Sequence, residues 1–168
     1  DVDLGIAINI DRPEQAGADR LVNAVAAAAW HNLPAIVIDF GTATTLDLIG
    51  PKGAYEGGII APGVNLSIEA LHMAAARLPF IAVKPWQTDM PVLGTDTISA
   101  MQSGVFWGYV GMVEGLLERL RHTYGEGLPA IATGGLAPLF ADHIKGPLVV
   151  DTDLTLRGLV RIYAQNKA

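Results

Sequence analysis

Ala35-Ile36-Val37-Ile38-Asp39-Phe40-Gly41-Thr42-Ala43-Thr44-Thr45-Leu46-Asp47-Leu48-Ile49-Gly50-Pro51-Lys52-Gly53-Ala54-Tyr55-Glu56-Gly57-Gly58-Ile59-Ile60 is the stretch that decides the architecture. Its first four residues are apolar and largely β-branched without alternation, the pattern of a central strand covered on both faces. That strand ends at Asp39-Phe40-Gly41. Thr44–Ile49 and Tyr55–Ile60 flank Gly50-Pro51-Lys52-Gly53, whose residues favour a turn, so the spacing predicts a hairpin. Together the three segments predict a three-stranded meander.

On the amino-terminal side, Ala18–Trp30 is rich in alanine and carries Leu21, Val22 and Val25 on one face, which predicts a helix closed by Asn32 and Pro34. On the other side, Pro62-Gly63 opens a helical pattern through Ile68, Leu71, Met73 and Leu78, up to Pro79, and a loop spans Pro85 to Pro91. Thr97–Tyr124 contains no proline, and Ile98, Met101, Val105, Tyr109, Met112, Leu116 and Leu120 recur at steps of three or four, predicting the longest helix. Its Gly104, Gly108, Gly111 and Gly115 each cost up to ~1 kcal/mol against Ala, which predicts a closely packed partner helix in compensation. Ala130–Ala132 reads as another buried strand with Leu148–Val150 as its neighbour, and Leu154–Ala164 as a closing amphipathic helix. Helix, three strands, helices, strand, helix, strand, helix is an α/β order.

Composition narrows the classes of function. The chain has 168 residues, of which 51% are hydrophobic and 17% charged, so it is not disordered and has room for one well-filled core. Eleven basic against 17 acidic residues give a net charge of −6 without a basic run, which argues against nucleic acid as partner. The sequence contains no cysteine, excluding disulfides, thiolate metal sites and a cysteine nucleophile, and fitting a reducing cytoplasm. The longest apolar stretch, Ser103 to Val113, is well short of the ~20 residues that a membrane-spanning helix needs. No signal peptide is read, although the chain opens Asp1-Val2-Asp3 without an initiator Met.

Several familiar motifs are absent: no P-loop, no Gly-x-Gly-x-x-Gly after a strand, no Gly-x-Ser-x-Gly elbow, and no metal-ligand spacing among His31, His72, His122 and His143. What remains is distributed. Gly17-Ala18-Asp19-Arg20 sets a carboxylate beside a guanidinium at a helix start, where free N–H groups also attract anions; Asp19 as a plain helix cap is the competing reading. Asp39-Phe40-Gly41-Thr42-Ala43-Thr44-Thr45-x-Asp47 places a carboxylate at a strand end, then a glycine turn, then hydroxyls. Those groups suit phosphate and cation chemistry, or else an ordinary hairpin rich in β-formers. Gly57-Gly58-Ile59-Ile60-Ala61-Pro62-Gly63 reads chiefly as close packing. Thr133-Gly134-Gly135-Leu136 leaves a buried strand where ligands lie in open α/β sheets, or is equally a tight turn. Gly94-Thr95-Asp96-Thr97 starts the long helix, where Asp96 and the two threonines either cap it, the favoured reading, or turn their hydroxyls toward a substrate.

Taken together, Pro13-Glu14-x-x-Gly17-Ala18-Asp19-Arg20-x-x-Asn23, Asp39 to Thr45, Gly57-Gly58-x-Ile60-x-Pro62-Gly63, Thr97-x-x-Ala100-Met101-Gln102-Ser103-Gly104 and Ala132-Thr133-Gly134-Gly135-Leu136 resemble, in order, the type III pantothenate kinase family. That family has the actin-like, ribonuclease H-like fold. The resemblance runs from about Gly5 to Asn166. It lacks the family's opening Asp-x-Gly-Asn-Thr phosphate motif and its early substrate-contacting tyrosine, so 1–168 is expected to be the carboxy-terminal lobe, with the end of the first lobe at about 1–15.

The resemblance implies ATP-dependent phosphorylation of the primary hydroxyl of pantothenate, the first step towards coenzyme A. It implies Asp19 as the base for that hydroxyl, Arg20 as partner of the pantothenate carboxylate, Gly17 and Ala18 as backbone lining, and Thr97 as a further substrate contact. It assigns Gly41 and Thr42 to the ATP phosphates, Thr133, Gly134 and Gly135 to the adenosine wall, and Asp39 to a monovalent cation, K⁺ or NH₄⁺, with Mg²⁺ arriving on ATP. A homodimer and a cytoplasmic location are also implied. Asp96 stands where the family pattern has Asn. Two alternatives stay open: a catalytically silent accessory protein of the same fold, and a kinase of the superfamily that acts on a sugar or short acid.

Overall fold

A computed structural model describes residues 2–75 and 77–167. The sheet is built on the meander: β1 (Ala35–Phe40), β2 (Ala43–Ile49) and β3 (Tyr55–Pro62) pair antiparallel in sequence, and β4 (Ala130–Thr133) and β5 (Leu148–Val150) add in parallel on the other side of β1. The spatial order β3-β2-β1-β4-β5 makes β1 central, as its unbroken apolar run requires. Residues 7–9 lie along the β3 end, where Tyr55 N–H donates to the Ala7 carbonyl and Asn9 N–H to that of Tyr55.

The helices cover opposite faces. α1 (Ala18–Trp30) and α5 (Leu154–Asn166) pack on one, α2 (Val64–Ala74) and α3 (Thr97–Tyr124) on the other, with the short α4 (Ala137–Phe140) following β4. Successive β1 side chains alternate between the layers. Ile36, Ile38 and Phe40 join Phe106, Val110, Val113, Leu117 and Phe140 under α3, whereas Ala35 and Val37 join Leu21, Ala24 and Ala27 under α1. Alanines bring α1 close to the strands, and Gly158 brings α5 close to α1: a Cβ there would fall 2.3 Å from the Val22 carbonyl oxygen.

Two expectations are corrected. The helical pattern drawn through Leu78 stops at Ala74, because the segment up to Pro79 leaves the helix and Leu78 packs against the core from a loop. The closely packed partner helix predicted from the glycines of α3 is not found among the described residues: nothing comes within 4 Å of a Cβ built at Gly104, Gly108 or Gly111. The helix is held instead by its opposite face, whose Phe106, Val110, Val113 and Leu117 are all buried. Asp96 begins α3 with a capping box: its carboxylate accepts from the N–H groups of Ile98 and Ser99, and the Ser99 hydroxyl accepts from the Asp96 N–H. Among the described residues no helix is long and apolar enough to cross a membrane.

Candidate active site

The register of the sheet gathers a polar row on the α1 face. Thr45 lies opposite Asp39 on one side and Thr133 on the other, and cross-strand partners share a face. Asp39 therefore sits between two hydroxyls. Both, Thr45 Oγ1 and Thr133 Oγ1, are buried and have no hydrogen-bond partner among the described residues. A buried hydroxyl without a partner costs on the order of 1–3 kcal/mol, so two of them flanking a carboxylate mark a place built to receive something.

The two oxygens of Asp39 have different surroundings. Oδ2 accepts a 2.9 Å bond from the Nδ2 of Asn23, and Asn23 Oδ1 accepts a 2.6 Å bond from the Thr155 hydroxyl, fixing the amide of this fully buried side chain. Oδ1 faces the two glycine turns: a Cβ at Gly134 would lie 2.7 Å from it and one at Gly41 3.7 Å. Gly134, at φ +90°, is in the left-handed region that favours glycine, and there the missing side chain also clears space beside the carboxylate. Burial pushes the Asp39 carboxyl above the usual range. The Asn23 bond opposes this, and the negative charges of Asp19 and Asp47 add to it.

The influence of Asp19 on Asp39 ties the second acidic group to the same place. Asp19 stands in the first turn of α1, one turn before Asn23, so the helix carries both towards the same strand end. It is not the helix cap; Gly17 is. The exposed Asp19 carboxylate accepts the Arg20 N–H at 2.9 Å, and a Cβ on Gly17 would come 2.7 Å from its Oδ1. Gly17 thus leaves room for the Asp19 side chain itself. Ala18 is exposed next to it.

Arg20 turns inward. Its Nε and Nη2 donate to Asp47 Oδ1 at 2.9 and 2.5 Å, and the Tyr55 hydroxyl donates to that oxygen at 3.0 Å. Burial works against the guanidinium charge, but the bonds and charge of Asp47 outweigh it and raise the pKa. Gly41 and Thr42 form the exposed β1–β2 turn, and Gly63 is pressed onto it, its N–H donating to the Thr42 carbonyl at 3.1 Å. Gly135 lies exposed just after Gly134.

Thr97 is elsewhere. It lines a cavity of about 720 Å³ between α2 and α3, with Val64, Leu71, Met101 and Tyr109 among its walls and without Asp19 or Arg20. The Tyr109 hydroxyl, bonded to Thr44, links this cavity to the sheet, and the Asp39 charge, after burial, helps to push the Tyr109 pKa up. Asn23, Asp47, Tyr55, Tyr109 and Thr155 carry the network around the anticipated residues. Of these, Asn23 and Asp47 stood within the quoted motifs, but neither a pairing nor a site role could be read for them.

An α/β domain with a meander-based mixed sheet, and Asp39 at the carboxyl end of its central strand, has the actin-like, ribonuclease H-like fold. The family model for type III pantothenate kinase matches residues 1–119. Type III pantothenate kinases from Paramagnetospirillum magneticum and Rhodospirillum rubrum are 57% and 56% identical over 98% and 99% of this chain. The chain belongs to the type III pantothenate kinase family. It spans 62% and 64% of the length of those two relatives. Among solved structures, a Baf family transcriptional activator from Campylobacter jejuni superposes with a TM-score of 0.62 at 21% identity, over 96% of this chain and 70% of that one. The ethanolamine utilization protein EutJ from Carboxydothermus hydrogenoformans gives 0.51 at 20%, over 83% of this chain and 52% of that one. At such identities the likeness is one of fold.

Proposed function

We propose that the chain is the carboxy-terminal lobe of a pantothenate kinase, which transfers the γ-phosphoryl group of ATP to the primary hydroxyl of pantothenate and yields 4′-phosphopantothenate and ADP. The observation that carries this reading is the linkage of Asp19 to Asp39 through one turn of α1 and the Asn23 bond. It joins a solvent-facing base to a strand-end carboxylate suited to the nucleotide side.

In the transfer, Asp19 accepts the hydroxyl proton as the oxygen bonds to the γ-phosphorus and the bond to the bridging oxygen of ADP breaks. Exposure suits that task, because the acceptor must reach Asp19. Arg20 faces the acceptor carboxylate, and the backbone at Gly17 and Ala18 allows close approach. Thr97 takes part from the α2–α3 side. Gly41 and Thr42 offer a turn with accessible N–H and hydroxyl groups to phosphate oxygens, and Thr133, Gly134 and Gly135 form the wall for the adenosine.

Asp39 and the hydroxyls of Thr45 and Thr133 fit a monovalent cation: one carboxylate and two neutral oxygens, with glycine on the open side. Such a cation supplies charge compensation near the nucleotide phosphates. Mg²⁺ arrives bound to ATP. Homodimerisation and a cytoplasmic location belong to the same reading.

The test is acceptor-dependent turnover by the intact gene product. With ATP and pantothenate, ADP and a phosphate monoester of pantothenate are expected in equal amounts, read by mass spectrometry. ADP release that is no faster with pantothenate than without it rejects the reading.

A further inference from the structure

Asp47 has no part in the chemistry described so far, yet it is nearly inaccessible and tightly engaged. Its side chain is 1% exposed and that of Arg20 13%. Three donors converge on Oδ1: Nε and Nη2 of Arg20 and the Tyr55 hydroxyl. The Tyr55 ring lies under the guanidinium, 5.6 Å from ring centroid to guanidinium carbon, and Asp47 Oδ2 is buried without a partner among the described residues. Strand register puts exposed Gly58 directly opposite Asp47, where a Cβ would fall 2.3 Å from Oδ1 and 2.6 Å from Nη2. Any side chain at position 58 would therefore displace the pair.

Stability does not explain this arrangement. A buried ion pair spends most of its attraction on desolvation, and a well-packed apolar pair of similar volume is often as stable or more so. What the pair does secure is direction. A guanidinium is a rigid planar fork, and holding it along its Nε–Nη2 edge fixes where its Nη1–Nη2 end points. The Tyr55 hydroxyl stays a donor, because burial first and the Asp47 charge next push its pKa well up.

We propose that Asp47, braced by Tyr55 and given room by Gly58, is a positioning residue that locks Arg20 edge-on and so sets the preference of the site for an acceptor bearing a carboxylate. This rests on the kinase reading above. It adds the physical source of the discrimination between an acid and its neutral analogues.

The test compares kcat/KM of the intact gene product for pantothenate and for its neutral primary amide, in the unsubstituted protein, Asp47→Asn and Tyr55→Phe. Asp47→Asn keeps the shape and removes the charge. It is expected to lower the preference for the acid about tenfold, through KM rather than kcat, since a hydrogen bond to a charged group carries about that factor. Tyr55→Phe keeps the ion pair and removes one donor. It is expected to shift the same ratio roughly threefold in the same direction, and it remains informative if Asp47→Asn does not fold. An unchanged ratio in Tyr55→Phe and in folded Asp47→Asn, or an equal loss for both acceptors, overturns the positioning role while leaving the kinase reading intact. Failure of the unsubstituted protein to phosphorylate either acceptor overturns that reading, and this inference with it.

Discussion

On β1, Ile36, Ile38 and Phe40 point to α3, and Ala35, Val37 and Asp39 point to α1. The α3 side is filled with large rings and branched chains: Phe106 stacks on Phe140 at 5.2 Å and meets Trp86 at 5.4 Å, and Phe40 stacks on Phe140 at 5.8 Å. The α1 side is packed with alanine near the middle of the strands and turns polar at their end. There, among the described residues, Thr45 Oγ1 and Thr133 Oγ1 are buried without partners, and so is Asp47 Oδ2 two residues further along β2; on the α3 side Trp107 Nε1 is the one such atom. One face therefore holds the sheet together, and the other leaves hydrogen-bonding capacity unspent at one end. The contrast shows that a strand only six residues long can serve both purposes, because alternation hands odd and even positions to different layers.

Substitutions that strike one face should leave the other untouched. The largest effect is expected on the α1 side from Asp19→Asn in the intact gene product. Loss of a general base should lower kcat about a thousandfold, with nucleotide affinity and melting temperature unchanged because the side chain is exposed. A drop below tenfold would show that another group takes the proton. On the α3 side, Phe106→Ala empties a position that is 1% exposed. A loss of about 3–5 kcal/mol in urea unfolding is expected, with kcat per folded molecule retained; a matching fall in kcat would erase the division between the faces.

Asp39→Asn should have a smaller effect, opposite in sign for stability. The folded carboxyl has a pKa above the ordinary 3.8, chiefly through burial. Its favourable contribution is therefore complete below that value and is lost as pH rises through the folded pKa. The Asn side chain does not ionise, so the variant should gain on the unsubstituted protein as melts are repeated from about pH 4 to about pH 7, while losing activity. A gap that narrows with rising pH would mean that the fold favours the ionised carboxylate. The smallest effect is expected from Gly111→Ala on the exposed side of α3, where a new Cβ meets nothing within 4 Å. A gain of about 0.5–1 kcal/mol is expected from helix propensity; a loss would reveal a second chain covering that helix.

Much of the scaffold was legible before any coordinates. Ala18–Trp30 and Thr97–Tyr124 coincide with the observed helices, and the meander and both later strands lie where their apolar runs and turn residues put them. Those elements are set by local periodicity and by glycine and proline. The end of α2 was less legible, because Leu71, Met73 and Leu78 continue a helical spacing that the chain itself abandons after Ala74. The glycines of α3 suggested a closely packed partner helix, which is not found among the described residues.

Within the site, the sequence identified the residue types and their order: a carboxylate and a guanidinium at one helix start, and a carboxylate at one strand end. The partner of each was decided only by tertiary structure. Arg20 meets Asp47 across 27 positions, and Asn23 meets Thr155 across 132. Such pairings depend on which strands are neighbours, and on register, where a slip of one residue would send Asp47 to the opposite face. Local sequence carries the periodicity that makes an element because neighbouring residues share its backbone. It carries no comparable mark of which distant side chain will share a charge, because that follows from how the layers stack.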